Sequence, residues 1–433
     1  MTIPRAVAAG PTDRAALQRR VVRTLVSAQM LGGIGVSSGA AVGALLAEDI
    51  SGSATYAGLG STFQVLGAAL VAIPIAQVTA ARGRRPGLAL GYALAAVGAA
   101  GILVAAVLRS FPLLLVSSFL FGGAVASNSQ TRYAAADLAA PQRRGRDIGV
   151  VVWATTVGSV LGPNLVGPGE PVARALGLPV LAGPFVFSLL GAVAAVGVLL
   201  VLLRPDPLLE SRRREPATHD GGAGAAAVAP VLQGSVLRGL RVVGADPVAR
   251  LGLLTLALGH VVMVSVMVMT PLHMSHGAAA LEVIGLVISI HVLGMFAFSP
   301  LVGAAVDRVG ARAVALVGAG VLSAATLLAA ASPVGQSATL VAGLFLLGLG
   351  WSCTLVSGST LLTGAVPVAE RPGAQGAADV VMGLAAAAGG ALAGVVVDRA
   401  SFHVLALLAL GVAVTVGLLA GLTRSGRVSA PPA

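Results

Sequence analysis

The chain has 433 residues, of which 57% are hydrophobic types and only 10% are charged, with a formal net charge of +11. Soluble domains carry about 25% charged residues, so this composition excludes a soluble enzyme, a coiled coil and a disordered tail, and leaves a polytopic helical membrane protein. All 27 basic residues are arginine, which removes the P-loop lysine and the Schiff-base lysine, and the single cysteine, Cys353, excludes an internal disulfide.

Apolar runs of about 20 residues match the length that crosses ~30 Å of hydrocarbon as helix. A polar, basic tail over 1–22 comes first, and the apolar run after it is too long for a signal-peptide core. Spans are then expected at 23–46, 55–79, 87–108, 112–135, 148–167 and 183–203. A linker over 204–247 contains Arg212, Arg213 and Arg214 and a Gly/Ala run at 221–227. A second set of spans is expected at 248–272, 283–304, 313–331, 338–363, 377–397 and 402–422, with a tail over 423–433. The expected architecture is all-α: six-span halves over 23–203 and 248–422, joined by a cytoplasmic linker.

Arginine placement checks this count. With the N-terminus cytoplasmic, 24 of the 27 arginines fall inside, leaving Arg109, Arg174 and Arg399 outside. Losing one span scrambles that alternation. The positive charge therefore reads as a topology signal, not a nucleic-acid footprint, which would concentrate on one soluble module. Both termini are expected inside a bacterial cytoplasmic membrane, since lysine-free, Ala/Gly/Arg-heavy usage fits a GC-rich genome.

The halves echo each other at an offset of 227 to 228 residues. Gly303-Ala304-Ala305-Val306-Asp307-Arg308-Val309-Gly310-Ala311-Arg312 after span 8 corresponds to Ala76 through Arg85 after span 2. Gln142-Arg143-Arg144-Gly145 likewise corresponds to Glu370-Arg371-Pro372-Gly373. Tandem six-span repeats are how alternating-access carriers are built, with the substrate site between the halves near the midplane.

On these residues the chain resembles the major facilitator superfamily along nearly its whole length. Residues Gly303 to Arg312 match the family's loop pattern Gly-x-x-x-Asp-Arg-x-Gly-x-Arg/Lys. The first-half copy keeps Gly83, Arg84 and Arg85 but has Ala80 and Ala81 for the Asp and first Arg. The resemblance implies a tight glycine turn and a charge pair latching neighbouring helices, with the second-half latch carrying more of that load. Span 5 contains Gly158-Ser159-Val160-Leu161-Gly162-Pro163-Asn164-Leu165-Val166-Gly167, similar to the Gly-x-x-x-Gly-Pro-x-x-Gly-Gly run of the drug/proton antiporter branch. That likeness implies efflux; an ordinary Pro-kinked, small-residue helix is the other reading of the same run. Where many relatives place an Arg in span 4, this chain has Ser118.

Ionisable groups inside a membrane are costly and become functional candidates. His260 and His291 fall in the middle of spans 7 and 8, and histidine titrates in the range a proton-coupled cycle uses; neutral interhelical hydrogen bonding is the equal alternative. His219, His273, His276 and His403 fall in loops or span ends. His260, Met263 and Met267 share a face of span 7, where the methionines either line a cavity or, as the better reading, pack. At the end of span 4, Asn128 and Arg132 share an i, i+4 face while Gln130 points elsewhere. Arg132 either snorkels or, as the better reading given the hydrogen-bonding groups around it, faces the central cavity as an anion site. Gln29 and Gln64 are further pathway candidates. Asp379 is expected to begin span 11, where a helix N-terminus favours a carboxylate, and to pair with Arg82 or Arg84 in an inner gate. Span 1 holds no buried carboxylate, so coupling would rest on the histidines or on end-of-span acids.

These features favour a secondary transporter exporting a small organic solute, with protons as candidate coupling ions. An importer or facilitator of a polar or anionic metabolite is the alternative, and a non-transporting sensor or scaffold a third class. Gly35-Val36-Ser37-Ser38-Gly39 spells Gly-x-Ser-x-Gly but lies within an apolar helix, so a nucleophile elbow is rejected in favour of close packing. No cofactor, metal site, nucleic acid or obligate protein partner is expected; the expected partners are the bilayer and a small-molecule substrate.

Overall fold

In hydrocarbon every backbone N–H and C=O must be satisfied internally, which restricts a chain this apolar to helices or a closed barrel. The computed structural model describes residues 11–53, 56, 58–214, 236–277, 281–335 and 337–423, and among them every regular element is helical. The first half comprises α1 (Pro11–Ser51), α2 (Leu59–Arg82), α3 (Arg84–Leu108), α4 (Phe111–Ala134), α5 (Arg144–Asn164), α6 (Val166–Ala175) and α7 (Gly183–Leu202). Two short helices follow, α8 (Pro207–Arg214) and α9 (Val236–Ala245). The second half comprises α10 (Pro247–His276), α11 (Leu281–Phe296), α12 (Ser299–Val309), α13 (Ala311–Ala330), α14 (Ala338–Ala365), α15 (Arg371–Arg399) and α16 (Phe402–Leu422). Among the described residues, ten helices are long and apolar enough to cross a membrane, and up to twelve spans result if each of two bent pairs counts as one. The bend of 57° between α5 and α6 follows Pro163, whose ring and missing N–H prevent the helix from continuing straight.

Helices run past the apolar windows because hydropathy marks only what lies in lipid, while capping and packing extend the ends. Asp246 accepts the N–H groups of Val248 and Ala249 at 2.8 and 2.7 Å and starts α10, with Pro247 in its first turn. Ser337 and Ser401 cap α14 and α16 in the same way. The segment after Ala365 departs most from expectation: α15 starts at Arg371, so Asp379 lies two turns inside the helix and not at its N-terminus. Part of the expected N-terminal tail belongs to α1, and the ends of the expected linker are helical. The run at 221–227, His219, and residues 1–10 and 424–433 lie outside the described residues.

Each half has its own apolar core. One gathers residues from Val21 to Leu203, the other residues from Val243 to Ala413 together with Tyr133, Ala136, Ile148 and Val152 of the first half. With few large side chains available, helices meet through small residues. Gly158 and Gly162 of α5 bear on Gly33 and Ser37 of α1, while Gly35 and Gly39 of α1 bear on Ser188 and Phe185 of α7. The Gly-x-Ser-x-Gly run is thus a packing seam, although Gly43 and Gly167 face nothing within 4 Å. Between the halves, the start of α5 packs on α12 with Gly145 against Gly303, and α2 packs on α15 with Ala76 against Gly376. Both seams lie toward the end of the bundle where the arginines gather. At the opposite end the ion pairs Arg109–Asp49 and Arg174–Glu170 each stay within the first half.

Candidate functional site

Polar side chains from both halves meet in a network buried between α2–α4 and α14–α15. Arg84 donates to both carboxylate oxygens of Asp137, from Nε at 2.7 Å and Nη2 at 3.3 Å, and both side chains are fully buried. Its remaining donors reach Gln130 Oε1 at 3.3 Å and, across the seam, Gln375 Oε1 at 2.5 Å. Gln130 Nε2 in turn donates to Asp379 Oδ2 at 2.6 Å, and Arg132 Nη2 donates to Asp379 Oδ1 at 2.6 Å. Arg132 also donates to Ser359 at 3.2 Å and to the Tyr133 hydroxyl at 3.0 Å, with its guanidinium 4.5 Å above the Tyr133 ring. Gln375 passes the chain on to Thr363 at 3.2 Å. Taking four charges out of water costs several kcal/mol per ion, and it is tolerated because each carboxylate oxygen receives a donor and each guanidinium has several acceptors.

This arrangement corrects three expectations. Asp379 pairs with Arg132, and Arg84 pairs with Asp137, so neither forms the expected Asp379–Arg84 or Asp379–Arg82 ion pair. Gln130 does not point away from Arg132: two long side chains flank the ridge of α4 and converge on one carboxylate. Asn128 is the one that turns aside, accepting from the Tyr92 hydroxyl at 2.5 Å inside the first half. Arg132 does not snorkel to solvent; it is 4% exposed, and its charge is already neutralised.

The loop motif works differently from a side-chain charge pair. Gly310 ends α12 at φ 91°, and Gly83 ends α2 at φ 97°, a region other L-residues rarely enter. Asp307 accepts the backbone N–H groups of Gly145 and Arg146, each at 2.8 Å, so it caps the start of α5 across the seam. Arg308 is exposed, and Arg312 donates to the carbonyls of Ala420 and Gly421 at the end of α16. In the first half, where Ala80 replaces the acid, Asp206 accepts the Arg85 N–H at 2.7 Å and the N–H groups of Leu208 and Leu209. Arg238 of α9 pairs with Glu370 just before α15, and Gly239 bears on Gly373. The elements flanking 215–235 therefore hold the starts of α3 and α15: Asp206 takes an N–H in the first turn of α3, and α9 packs on the start of α15.

Among the described residues, the remaining candidates make no hydrogen bond to this network, although His260 lies near enough to Arg132 to feel its charge. His260 Nδ1 accepts the Trp351 indole N–H at 2.8 Å, which places the ring proton on Nε2, and Phe296 packs edge-on against Trp351 at 5.6 Å. His291 is fully buried; its Nδ1–H donates to the Leu344 carbonyl at 2.8 Å, and Nε2 has no hydrogen-bond partner. Met263 is buried in the second-half core and Met267 packs against it. Gln29 donates to Thr155 at 2.9 Å between α1 and α5, and Gln64 is half-buried on α2. Sequence reasoning passed over Gln375 and Asp206. The i, i+4 spacing of Gln375 and Asp379 and the Pro205-Asp206-Pro207 punctuation were the available signals.

Two apolar helical halves, meeting at a seam where buried charges are paired across it, define a polytopic carrier-type bundle. The family model of the Major Facilitator Superfamily matches residues 25–282 and 273–433. The "Uncharacterized MFS-type transporter YddS" of Bacillus subtilis (strain 168) is 36% identical over 405 residues, covering 92% of this chain and 89% of its own. The riboflavin transporter RfnT of Brucella anthropi is 29% identical over 379 residues, covering 86% and 87%. Among solved structures, the human organic anion transporter MFSD10 (TETRAN) superposes with a TM-score of 0.70 at 21% identity, over 93% of this chain and 99% of that one. The chain belongs to the major facilitator superfamily and is a multi-pass membrane transporter of that family.

Proposed function

We propose that the chain exports a small organic solute from the bacterial cytoplasm by alternating access, in exchange for protons, with its arginine-rich end facing the cytoplasm. The observation that carries this reading is the buried Arg132–Asp379 pair across the seam, 2.6 Å long and 5% exposed on each side. With Asp379 ionised, the pair holds the arginine-rich end shut. A proton reaching Asp379 from the far side removes the carboxylate charge, weakens the hold on Arg132 and lets that end open. Loss of the proton to the cytoplasm restores the pair and closes the end behind a bound solute. One proton thus enters for each solute that leaves. The likeness of the Gly158 to Gly167 run, at the break between α5 and α6, to that of the drug/proton antiporter branch supports the outward direction. In this reading His260 and His291 are structural: one accepts from Trp351 and the other donates to a helix carbonyl.

Arg132 supports a second reading. A solute bearing a negative group can take the place of Asp379 on the guanidinium, leaving Asp379 to accept a proton. Solute and proton then move together, which is uptake of an organic anion.

Vesicles separate the two. Inverted vesicles containing the protein are given an acid interior and offered riboflavin first, then a mass-resolved cell extract. Export by exchange expects accumulation inside inverted vesicles that collapses with a protonophore and is lost in Asp379→Asn. Accumulation only in right-side-out vesicles, together with the proton, supports uptake. Flux that ignores the gradient, or survives Asp379→Asn unchanged, removes the proton role of this pair.

A further inference from the structure

We propose that a basic cleft between the start of α1 and the end of α7 binds the phosphate headgroup of an anionic phospholipid. The cleft measures about 430 Å³, and its wall carries Arg19, Arg20 and Arg23 with Thr24, Ser27 and Leu202. Positions 19, 20, 23 and 27 fall at three-, four- and seven-residue spacings, so one face of α1 presents all three guanidinium groups and a hydroxyl. None of the three arginines has a carboxylate partner within 4 Å among the described residues. Four other arginines of the same end are committed, Arg14 to the Leu138 carbonyl, Arg84 and Arg132 to buried acids and Arg238 to Glu370, while Arg241 and Arg250 are exposed but line no such cleft. Membrane orientation requires positive charge on one side; it does not require three unpaired cations on one wall of a cleft.

The ligand class follows from charge and shape. Three cations without a single acid select an anion, and arginine forks match phosphate oxygens. The volume lies within the roughly 300–1,000 Å³ of small-molecule sites, more than a lone phosphate fills. The apolar wall of the cleft is Leu202, 44% exposed at the end of α7, and its neighbour Val201 is exposed beside it. A free anion leaves that wall unused, whereas a phospholipid places its phosphate among the arginines and its glycerol and first methylenes on the leucine. Because α1 and α7 enter the membrane here, the cleft sits at headgroup level, where basic pockets between spans recognise anionic lipids. The inference is independent of transport direction and of which leaflet this end faces.

The test uses the purified full chain in neutral detergent, with phosphatidylglycerol, phosphatidylcholine and inorganic phosphate as probes, read by native mass spectrometry and thermal unfolding. Wild-type protein is expected to prefer phosphatidylglycerol over phosphatidylcholine by about tenfold or more, a preference that Arg19→Gln/Arg20→Gln/Arg23→Gln removes. The corresponding triple lysine variant is expected to retain most of it. Arg213→Gln/Arg241→Gln/Arg250→Gln, which removes the same charge from exposed arginines at the same end, is expected to retain it fully. Should the triple glutamine variant fail to fold, Arg23→Gln alone is read, with about a threefold loss expected. The proposal is overturned if the preference survives in the glutamine variants, if the control triple loses it equally, or if inorganic phosphate displaces the lipid and stabilises the protein as well.

Discussion

Asp379 and Arg132 show how much a pair of residues can depend on contacts no local pattern encodes. Both stood out in the sequence, one as an acid near a span and one as a charge among hydrogen-bonding neighbours. Their meeting could not be read, because the partners are 247 residues apart and belong to different halves. Arg84 and Asp137 lie 53 residues apart within the first half, each close to a legible motif, and they too are joined only by packing. Removing one member of a buried pair leaves the other charge without compensation, at a cost of roughly 3–5 kcal/mol. Asp379→Asn is therefore expected to lower the unfolding temperature in detergent or to open the arginine-rich end. Arg132→Gln/Asp379→Asn is expected to recover part of the loss, so a double-mutant cycle should show a coupling that additive losses would refute. Asp307→Asn keeps one acceptor but loses charge-assisted bonds to two N–H groups; about 1.5–3 kcal/mol of stability is expected to go. Arg146→Ala should cost far less, since the backbone alone is used.

At the scale of helices, hydropathy located the spans well and their ends poorly. The start of α15 is the instructive case. Arg371 to Gly376 reads as a polar, glycine-bearing loop, yet it is helical because Gly376 seats against Ala76 and Arg84 holds Gln375. The seam between α5 and α12 depends on the same economy of side chains: Gly145 and Gly303 bring two backbones together, and an added Cβ would meet the opposite carbonyl. Gly303→Val is expected to overpack this contact by about 1–3 kcal/mol and to shift the protein toward a form open at the arginine-rich end. Cysteine pairs placed across the seam and cross-linked at fixed length would measure that shift; unchanged cross-linking would rule it out. Gly158 and Gly162 do serve close packing, as their spacing implied, but the same contacts would form in an importer.

For the whole molecule, the proposed orientation makes a simple prediction. Cys353 is free and buried, so Cys353→Ala offers a thiol-free background at small packing cost. In that background Arg174→Cys is expected to react with a membrane-impermeant maleimide on intact cells. Arg143→Cys is expected to react only after permeabilisation. The reverse pattern would invert the topology. The proposed orientation rests on arginine distribution, because charge asymmetry acts on the chain during insertion, loop by loop. The closure of one end was not readable, since it arises only when two finished halves dock.

The cap that Asp307 places on α5 has a further consequence over evolutionary time. Its acceptors bind N–H groups that every non-proline residue carries, so the side chain at 146 is free to drift while Asp307 stays. Gly145 stays too, held by the approach of Gly303. Arg132 and Asp379 enjoy no such freedom, because each is defined by the other's charge. Across diverging lineages these two positions should change together or not at all, whereas the acid at 307 should persist through a succession of different neighbours.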